Sequence, residues 1–429
     1  MSYPAEAESF RAEVRTVLAQ ELPPGWAGIG AIAGRQDAER FAAHWRQVLY
    51  RRGLLGITWP PEHGGRGLSR LHQVVLMEEL ARAGAPFGEH TDLFGIKMLG
   101  STLLRWGTAE QRRRFLPRIL SGEDRWCQGF SEPGAGSDLA SLTTRATLVK
   151  GDGPGGTGGG SPPCAEKVGG DWVIDGQKVW TSVAHRANWI FLLARTDPQA
   201  RGHRGISFLL CPLNQPGIEI RPIRALTGDS DFHEVFFAGA RTPADLVVGA
   251  PGEGWPVAMT LLGHERGEEA ATNPILFRAE LDRLLALAAE RGRDHDPLIR
   301  QRLAWCCARV EIMRYLGYRI LTQVLNGTEL GAAASVAKLY WSEYHAAATE
   351  LALDIGGLAG LVPEGRGPLR AVRTDDPGAP NSSGSWLGAF LNARAGTIYA
   401  GTSEVQRNIL AETVLGLPKE RRREEVGHG

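Results

Sequence analysis

Trp172–Trp180 reads WVIDGQKVW. Apolar and β-branched residues on both sides of Asp175-Gly176 match the two-residue turn that joins antiparallel strands, so the stretch predicts a hairpin. Its neighbours read the same way: Trp189–Arg195, Gly205–Cys211, Gly217–Pro222 and His233–Phe237 are short β-forming runs separated by turn residues. The middle third of the chain is therefore a compact β domain.

Outward from it, both flanks change period. Phe10, Val14, Val17 and Leu18 recur at helical spacing, and Ala38–Arg52 places Phe41, Trp45, Val48 and Leu49 on one face. WPPEHGG (Trp59–Gly65) breaks the pattern. His72–Ala83 and Ala109–Leu120 read as further helices, and Asp92–Leu104 as a buried one. After the β domain, helices are expected over Trp255–Ala270, Pro274–Ala289, Leu298–Leu325 and Ala332–Leu353. A last helix starts near Ser403, where Ser403-x-x-Gln406 fits a capping box. The class is α+β in three domains: helices over 1–125, a β domain over 126–245 and a helical bundle over 246–429.

Composition excludes several functions. Of 429 residues, 43% are hydrophobic and 22% charged, which is ordinary for a globular chain. Lys+Arg and Asp+Glu balance at 48 each, so no net field draws nucleic acid or membrane. The basic runs Arg112–Arg114 and Arg421–Arg423 read as solvated faces. No stretch is long and apolar enough to span a bilayer, and MSYPAEAESF lacks a leader pattern, so a soluble cytoplasmic protein is expected. Cys127, Cys164, Cys211, Cys306 and Cys307 lack metal-ligand spacing and read as incidental or buried thiols; no metal is expected. Gly151–Pro163 (GDGPGGTGGGSPP) and Pro363–Ser385 read as long loops.

Phe130–Ser141 reads FSEPGAGSDLAS, a glycine-broken loop whose successive N–H groups suit an anion or a carbonyl. Ser131 and Ser137 add hydroxyls. By itself this is an ordinary turn. Trp180 offers a flat apolar ring with one N–H, and Ser182 a hydroxyl beside it; alone, Trp180 reads as a core residue.

Taken in order, WPPEHGG, GFSEPGAGSDLAS, KVWTS and AGTIYAGTSEVQRNIL resemble the acyl-CoA dehydrogenases over nearly the whole chain. The resemblance implies a helical domain, a β domain and a helical bundle. It also implies FAD as cofactor, oxidation of the Cα–Cβ bond of an acyl-CoA thioester, and an electron-transfer flavoprotein as acceptor. By position it implies that Gln128, Phe130, Ser131 and Gly136 line the flavin and substrate, with Ser137 nearest the CoA chain. Trp180, Thr181 and Ser182 would contact the isoalloxazine ring; Thr402, Ser403 and Glu404 would stand at a helix start facing flavin or phosphate oxygens. Gly401 would lie beside the thioester.

One residue departs. The family's proton-abstracting glutamate often precedes Gly-Thr, and here that residue is Ala400. In branches that lack it, the carboxylate projects from a helix of the C-terminal domain, just before an arginine. LLGHERGEEAA (Leu261–Ala271) supplies Glu265 and Arg266 at that place. Glu265 is the candidate base, and Arg266 a group for the CoA side or a carboxylate. Against this, Glu265, Glu268 and Glu269 also fit a solvated acidic face, and Glu404 is the poorer candidate base.

Two further departures touch the cofactor. The family's Arg-x-x-Phe-Gly stretch is replaced by AERGRDHDPLIRQRLA (Ala289–Ala304), leaving Arg291, Arg293 and Arg300 as alternatives for the pyrophosphate. Gln-x-x-Gly-Gly becomes Leu353-Asp354-Ile355-Gly356-Gly357, with aspartate read in place of the usual glutamine; an aspartate there repels a pyrophosphate unless paired. With Ala400, these departures resemble an actinobacterial branch, some of whose members are α2β2 heterotetramers acting on bulky thioesters. Three readings stay open: a dehydrogenase using Glu265, a non-catalytic or carboxylate-bearing subunit of a heteromeric complex, and a flavin oxidase or monooxygenase on the same fold. A homo-oligomer, and a thioester on CoA or on a carrier protein, are equally open.

Overall fold

The structure is a computed structural model that describes residues 3–32, 35–150, 169–228, 230–326, 332–362 and 385–419. Gly151–Pro163, most of Pro363–Ser385, Cys164 and Arg421–Arg423 lie outside the described residues.

The first body is helical. α1 (Ala5–Glu21) buries Phe10, Val14, Val17 and Leu18 as their spacing predicts. α2 (Arg35–Arg51) buries Trp45, Val48 and Leu49. α3 (Arg70–Ala83) stops at Gly84, whose φ of 62° is the left-handed conformation that closes a helix. The short α4 (His90–Asp92) runs through a π-helical stretch, Leu93–Gly100, into α5 (Ser101–Trp106), so the expected buried helix is present but wider at its centre. α6 (Ala109–Ser121) is opened by reciprocal bonds between Thr108 and Gln111.

The middle body is a sheet of β1 (Trp126–Gly129), β2 (Arg145–Val149), β3 (Asp171–Ser182), β4 (Trp189–Arg195), β5 (Ile206–Pro212), β6 (Ile218–Ile223), β7 (Phe232–Pro243) and β8 (Val247–Val248). The order is β6-β7-β3-β2-β4-β5-β8, and β1 pairs with β4. The hairpin expected at Asp175-Gly176 is not formed: β3 is one continuous strand. Its residues Asp171–Asp175 pair with β2 on one side, and the strand pairs with β7 on the other, so its two halves have no need of each other. Asp175 and Gly176 stay paired with Ala238 and Phe237, and the irregularity falls on β7, where Gly239 at φ 72° is the extra residue between Ala238 and Ala240. Asp175 accepts a hydrogen bond from the Gly239 N–H at 2.9 Å, and Gly176 takes φ 147° where a Cβ would stand 2.6 Å from Thr144 Oγ1. β7 also runs well past the expected Phe237.

The last body holds α7 (Gly254–Glu290), α8 (Pro297–Leu325), α9 (Ala332–Gly356), α10 (Trp386–Gly396) and α11 (Ser403–Ile409). The two helices expected at Trp255–Ala270 and Pro274–Ala289 are one, with Pro274 inside it. A proline inside a helix costs about 3 kcal/mol. Packing at both ends offsets it: Val257, Ala258 and Leu261 join the core of the N-terminal helices, and Phe277, Leu281, Leu284 and Ala288 join the bundle core. α10 has no counterpart in the sequence reading, although Ser385 caps it by accepting from the Gly388 N–H. Among the described residues, no helix is long and apolar enough to cross a membrane.

Candidate functional site

The loop FSEPGAGSDLAS is tied to the KVW strand by a buried charge. Lys178 is fully buried, and its ammonium donates to Glu132 Oε1 at 2.8 Å and to the Phe130 carbonyl at 3.1 Å. Glu132 also accepts from the Thr143 N–H and hydroxyl and from the Thr144 N–H. Burial works to raise the Glu132 carboxyl, yet the ammonium and these donors hold it at about 2. Burial pulls the Lys178 ammonium down to about 8, with Glu132 opposing the fall, so the pair is charged at neutral pH. Both residues stand inside quoted motifs, but neither was assigned a role. The available signal was a lysine between β-forming residues in a strand buried on one face.

This anchoring aims Trp180. The Val179 N–H leaves the ladder to donate to the Ser131 carbonyl at 2.9 Å, and the register of β3 on β7 shifts between Lys178 and Thr181. Trp180 sits in the bulge at φ 61°, a backbone region costly for a side-chain-bearing residue. Its ring is 59% exposed, with the edge-on Phe232 ring 5.9 Å away. It is therefore not the core tryptophan of the simpler reading. Thr181 points inward, and its Oγ1 has no hydrogen-bond partner among the described residues. Ser182 is half-buried and pairs with Phe232.

Other members of the loop separate by burial. Gln128 lies in β1, half-buried, opposite Phe191. Phe130 is a core residue, edge-on to Phe191 and Phe208 at about 6 Å. Gly136 and Ser137 are exposed, and a Cβ on Gly136 would meet nothing within 4 Å.

The second group forms a tight corner before α11. Ala400 and Gly401 both have positive φ, 53° and 90°. Gln406 Nε2 donates to the Ala400 carbonyl at 2.9 Å, and a Cβ on Gly401 would stand 2.4 Å from that nitrogen. The helix cap is Thr402, whose Oγ1 accepts from the Val405 N–H, and not Ser403 as the Ser-x-x-Gln spacing predicted. Ser403 is already the first helical residue and its N–H donates to the Thr397 carbonyl, so the reciprocal box does not form. Ser403 is buried, and its Oγ has no partner among the described residues. Glu404 is exposed, with its carboxyl lowered by the backbone N–H at the helix start and by Thr402.

Gly356 ends α9, and Gly357 follows at φ 55°. Asp354, one turn from this end, is met by Arg302 of α8, which settles the charge the sequence left unbalanced. Arg302 was not among the residues proposed for this region. Arg293 pairs with Asp296 at 3.0 Å, and Arg300 donates to the Asp294 carbonyl. Glu265 and Arg266 lie in α7, but their side chains, like those of Glu268 and Glu269, lie outside the described residues.

Packing thus joins the glycine loop to β3, while the Ala400–Glu404 corner and α10 pack on α9. Both surfaces present a buried hydroxyl without a partner among the described residues, at Thr181 and at Ser403. A hydrogen-bonding cofactor with a flat ring fits this set: Trp180 supplies a face and the hydroxyls supply polar contacts.

Three family models match in succession: the acyl-CoA dehydrogenase N-terminal domain over residues 4–123, the middle domain over 127–239 and the C-terminal domain over 252–415. The chain is 45% identical over 419 residues to acyl-CoA dehydrogenase IpdE1 of Mycolicibacterium smegmatis, covering 97% of this chain and 99% of that one. The IpdE1 of Mycobacterium tuberculosis is 44% identical, with the same coverage. Among solved structures, the Tcur3481-Tcur3483 steroid ACAD is similar with a TM-score of 0.75 and 33% identity, covering 98% of this chain and 99% of that one. The ChsE4-ChsE5 complex from Mycobacterium tuberculosis is similar with a TM-score of 0.74 and 29% identity, covering 98% of this chain and all, 100%, of that one.

Proposed function

The chain belongs to the acyl-CoA dehydrogenase family, flavoprotein oxidoreductases that act on acyl-CoA, and on that premise we propose that it binds FAD and desaturates an acyl-CoA with Glu265 as base. The observation that carries the reading is Trp180: a large ring left 59% exposed on costly backbone, next to a buried hydroxyl with no partner among the described residues. FAD, when bound, supplies the hydride acceptor. Trp180 supports its ring, while Thr181, Ser182 and Ser403 offer hydroxyls to its polar edge and Thr402 and Glu404 border the same corner. Gly356 and Gly357 approach the phosphate end, where Arg302 neutralises Asp354. Gln128, Ser131, Gly136 and Ser137 flank the thioester and the CoA chain.

The residues then divide the chemistry. Backbone N–H groups of the corner at Gly401 polarise the thioester carbonyl, which acidifies the α-hydrogen. Glu265 receives that proton, and a water-poor setting strengthens a carboxylate for this task. Ala400 has no side chain able to do so. The product is a trans-2-enoyl thioester, and an electron-transfer flavoprotein takes the electrons. Anaerobic addition of acyl-CoA thioesters to the yellow protein tests this. The wild-type flavin bleaches, and Glu265→Gln stays yellow with its flavin retained; bleaching of the variant at the wild-type rate rejects Glu265 as base.

A second reading is favoured by a specific surface. Leu358 and Leu361, 87% and 59% exposed, follow Gly357, and Ile398 and Tyr399, 64% and 46% exposed, precede Ala400. Apolar side chains bordering both cofactor segments fit a neighbouring subunit that completes the site. The chain would then be the carboxylate-bearing half of a heteromeric dehydrogenase, in line with the complexes it resembles. A chain that purifies colourless when expressed alone supports this reading; full flavin content in a homo-oligomer opposes it.

A further inference from the structure

A cavity of about 380 Å³ opens between the loop after α2, helix α3, the π-helical stretch with α5, and α7. From α7 it is lined by Gly263, in the turn that contains Glu265. Apolar side chains, among them Trp59, Leu68, Phe87, Ile96 and Leu104, form much of its wall, and polar groups interrupt them. Gln73 of α3 is only 4% exposed, yet its amide has no hydrogen-bond partner among the described residues and is not sealed by protein. An amide in that position costs free energy unless something in the cavity bonds it. Arg70, one turn earlier on the same helix, lines the cavity with no ion-pair partner among the described residues. Thr58 of the loop after α2 and Ser101 of α5 add hydroxyls, and Lys97 lines it as well. Among the described residues no aspartate or glutamate lines it.

We infer that this cavity receives the far end of the acyl group and that this end carries a carboxylate. The inference rests on the dehydrogenase reading above and names its substrate class. A methyl terminus would leave the Gln73 amide dry and unbonded. A carboxylate accepts from that amide, from the two hydroxyls and from the Arg70 guanidinium, and charge-assisted bonds of this kind are the stronger ones. A site built to bond a polar group also discriminates sharply against an analogue that lacks it.

The test is calorimetric binding under anaerobic conditions to the full-length protein. The ligands are pairs of straight-chain alkanoyl-CoA and ω-carboxyalkanoyl-CoA thioesters of equal length, with the ω-hydroxy compound as neutral comparison. The ω-carboxy member binds at least about tenfold more tightly than the alkanoyl member, with the hydroxy compound between them. Gln73→Leu removes most of that preference by weakening the ω-carboxy member, while the alkanoyl member binds no more weakly than to the wild type. Thr58→Val is the second variant should Gln73→Leu fail to fold, and it reduces the same preference. Equal binding of the pair, or preference for the alkanoyl member, means the cavity holds only water, and overturns the inference while leaving the dehydrogenase reading intact. A variant that weakens both members equally also overturns it. Failure of every thioester to bind overturns both.

Discussion

The Lys178 ammonium lies 2.8 Å from Glu132 Oε1, with both side chains enclosed by protein. This pair joins the glycine loop to the strand that carries Trp180, so its loss acts on stability and cofactor together. Removing one partner of a buried pair leaves an uncompensated charge, at a cost of about 3–5 kcal/mol. Lys178→Met and Glu132→Gln are each expected to lower the unfolding free energy by that margin, read from chemical denaturation, and to reduce bound flavin. A double-mutant cycle is expected to give a combined loss well short of the sum.

The same pair sets an acid limit. The Glu132 carboxyl is held at about 2 against its ordinary 4.5. Between those values the folded chain binds fewer protons than the unfolded one, so stability falls as pH falls. Its contribution is complete above the unfolded value of 4.5 and is lost as pH drops through the folded value near 2. Denaturation midpoints measured across that window are expected to fall more steeply for wild type than for Glu132→Gln.

Trp180 separates stability from cofactor binding. Its exposed ring makes Trp180→Ala a change of roughly 0.5 kcal/mol or less in folding stability. Flavin binding, by contrast, is expected to weaken several-fold, in keeping with about 0.5–1.5 kcal/mol for aromatic stacking, and Trp180→Phe is expected to recover most of it. Flavin-to-protein absorbance ratios after gel filtration measure both effects.

Gly401 admits no side chain. A Cβ there meets Gln406 Nε2 at 2.4 Å on a backbone at φ 90°. Gly401→Ala is expected to cost about 1–3 kcal/mol and to loosen the corner through the Gln406–Ala400 bond. The stability loss is read from chemical denaturation; intact stability would mean that the corner relaxes freely.

The helical and β bodies were legible because amphipathic spacing is local: Phe10, Val14, Val17 and Leu18 needed no partner to declare their face. The errors share one cause. Asp175-Gly176 has hairpin chemistry, Pro274 breaks helices and Ser403-x-x-Gln406 is a capping box, each on short-range grounds. In each case, partners outside the motif outweighed the local preference: β2 and β7 around Asp175, packing at both ends of α7 around Pro274, and the Thr397 carbonyl bonded by the Ser403 N–H.

The site divides in the same way. Residue types and order were enough for the family and for the loss of a carboxylate at Ala400, and they put Glu265 forward as the base we propose, because chemistry demands particular side chains. They said nothing of Lys178 beneath the loop, of Trp180 turned outward, of Arg302 on Asp354, or of an unbonded Gln73 amide in a cavity. Burial and pairing are properties of elements brought together across dozens to hundreds of residues, and a side chain's free energy depends on that company.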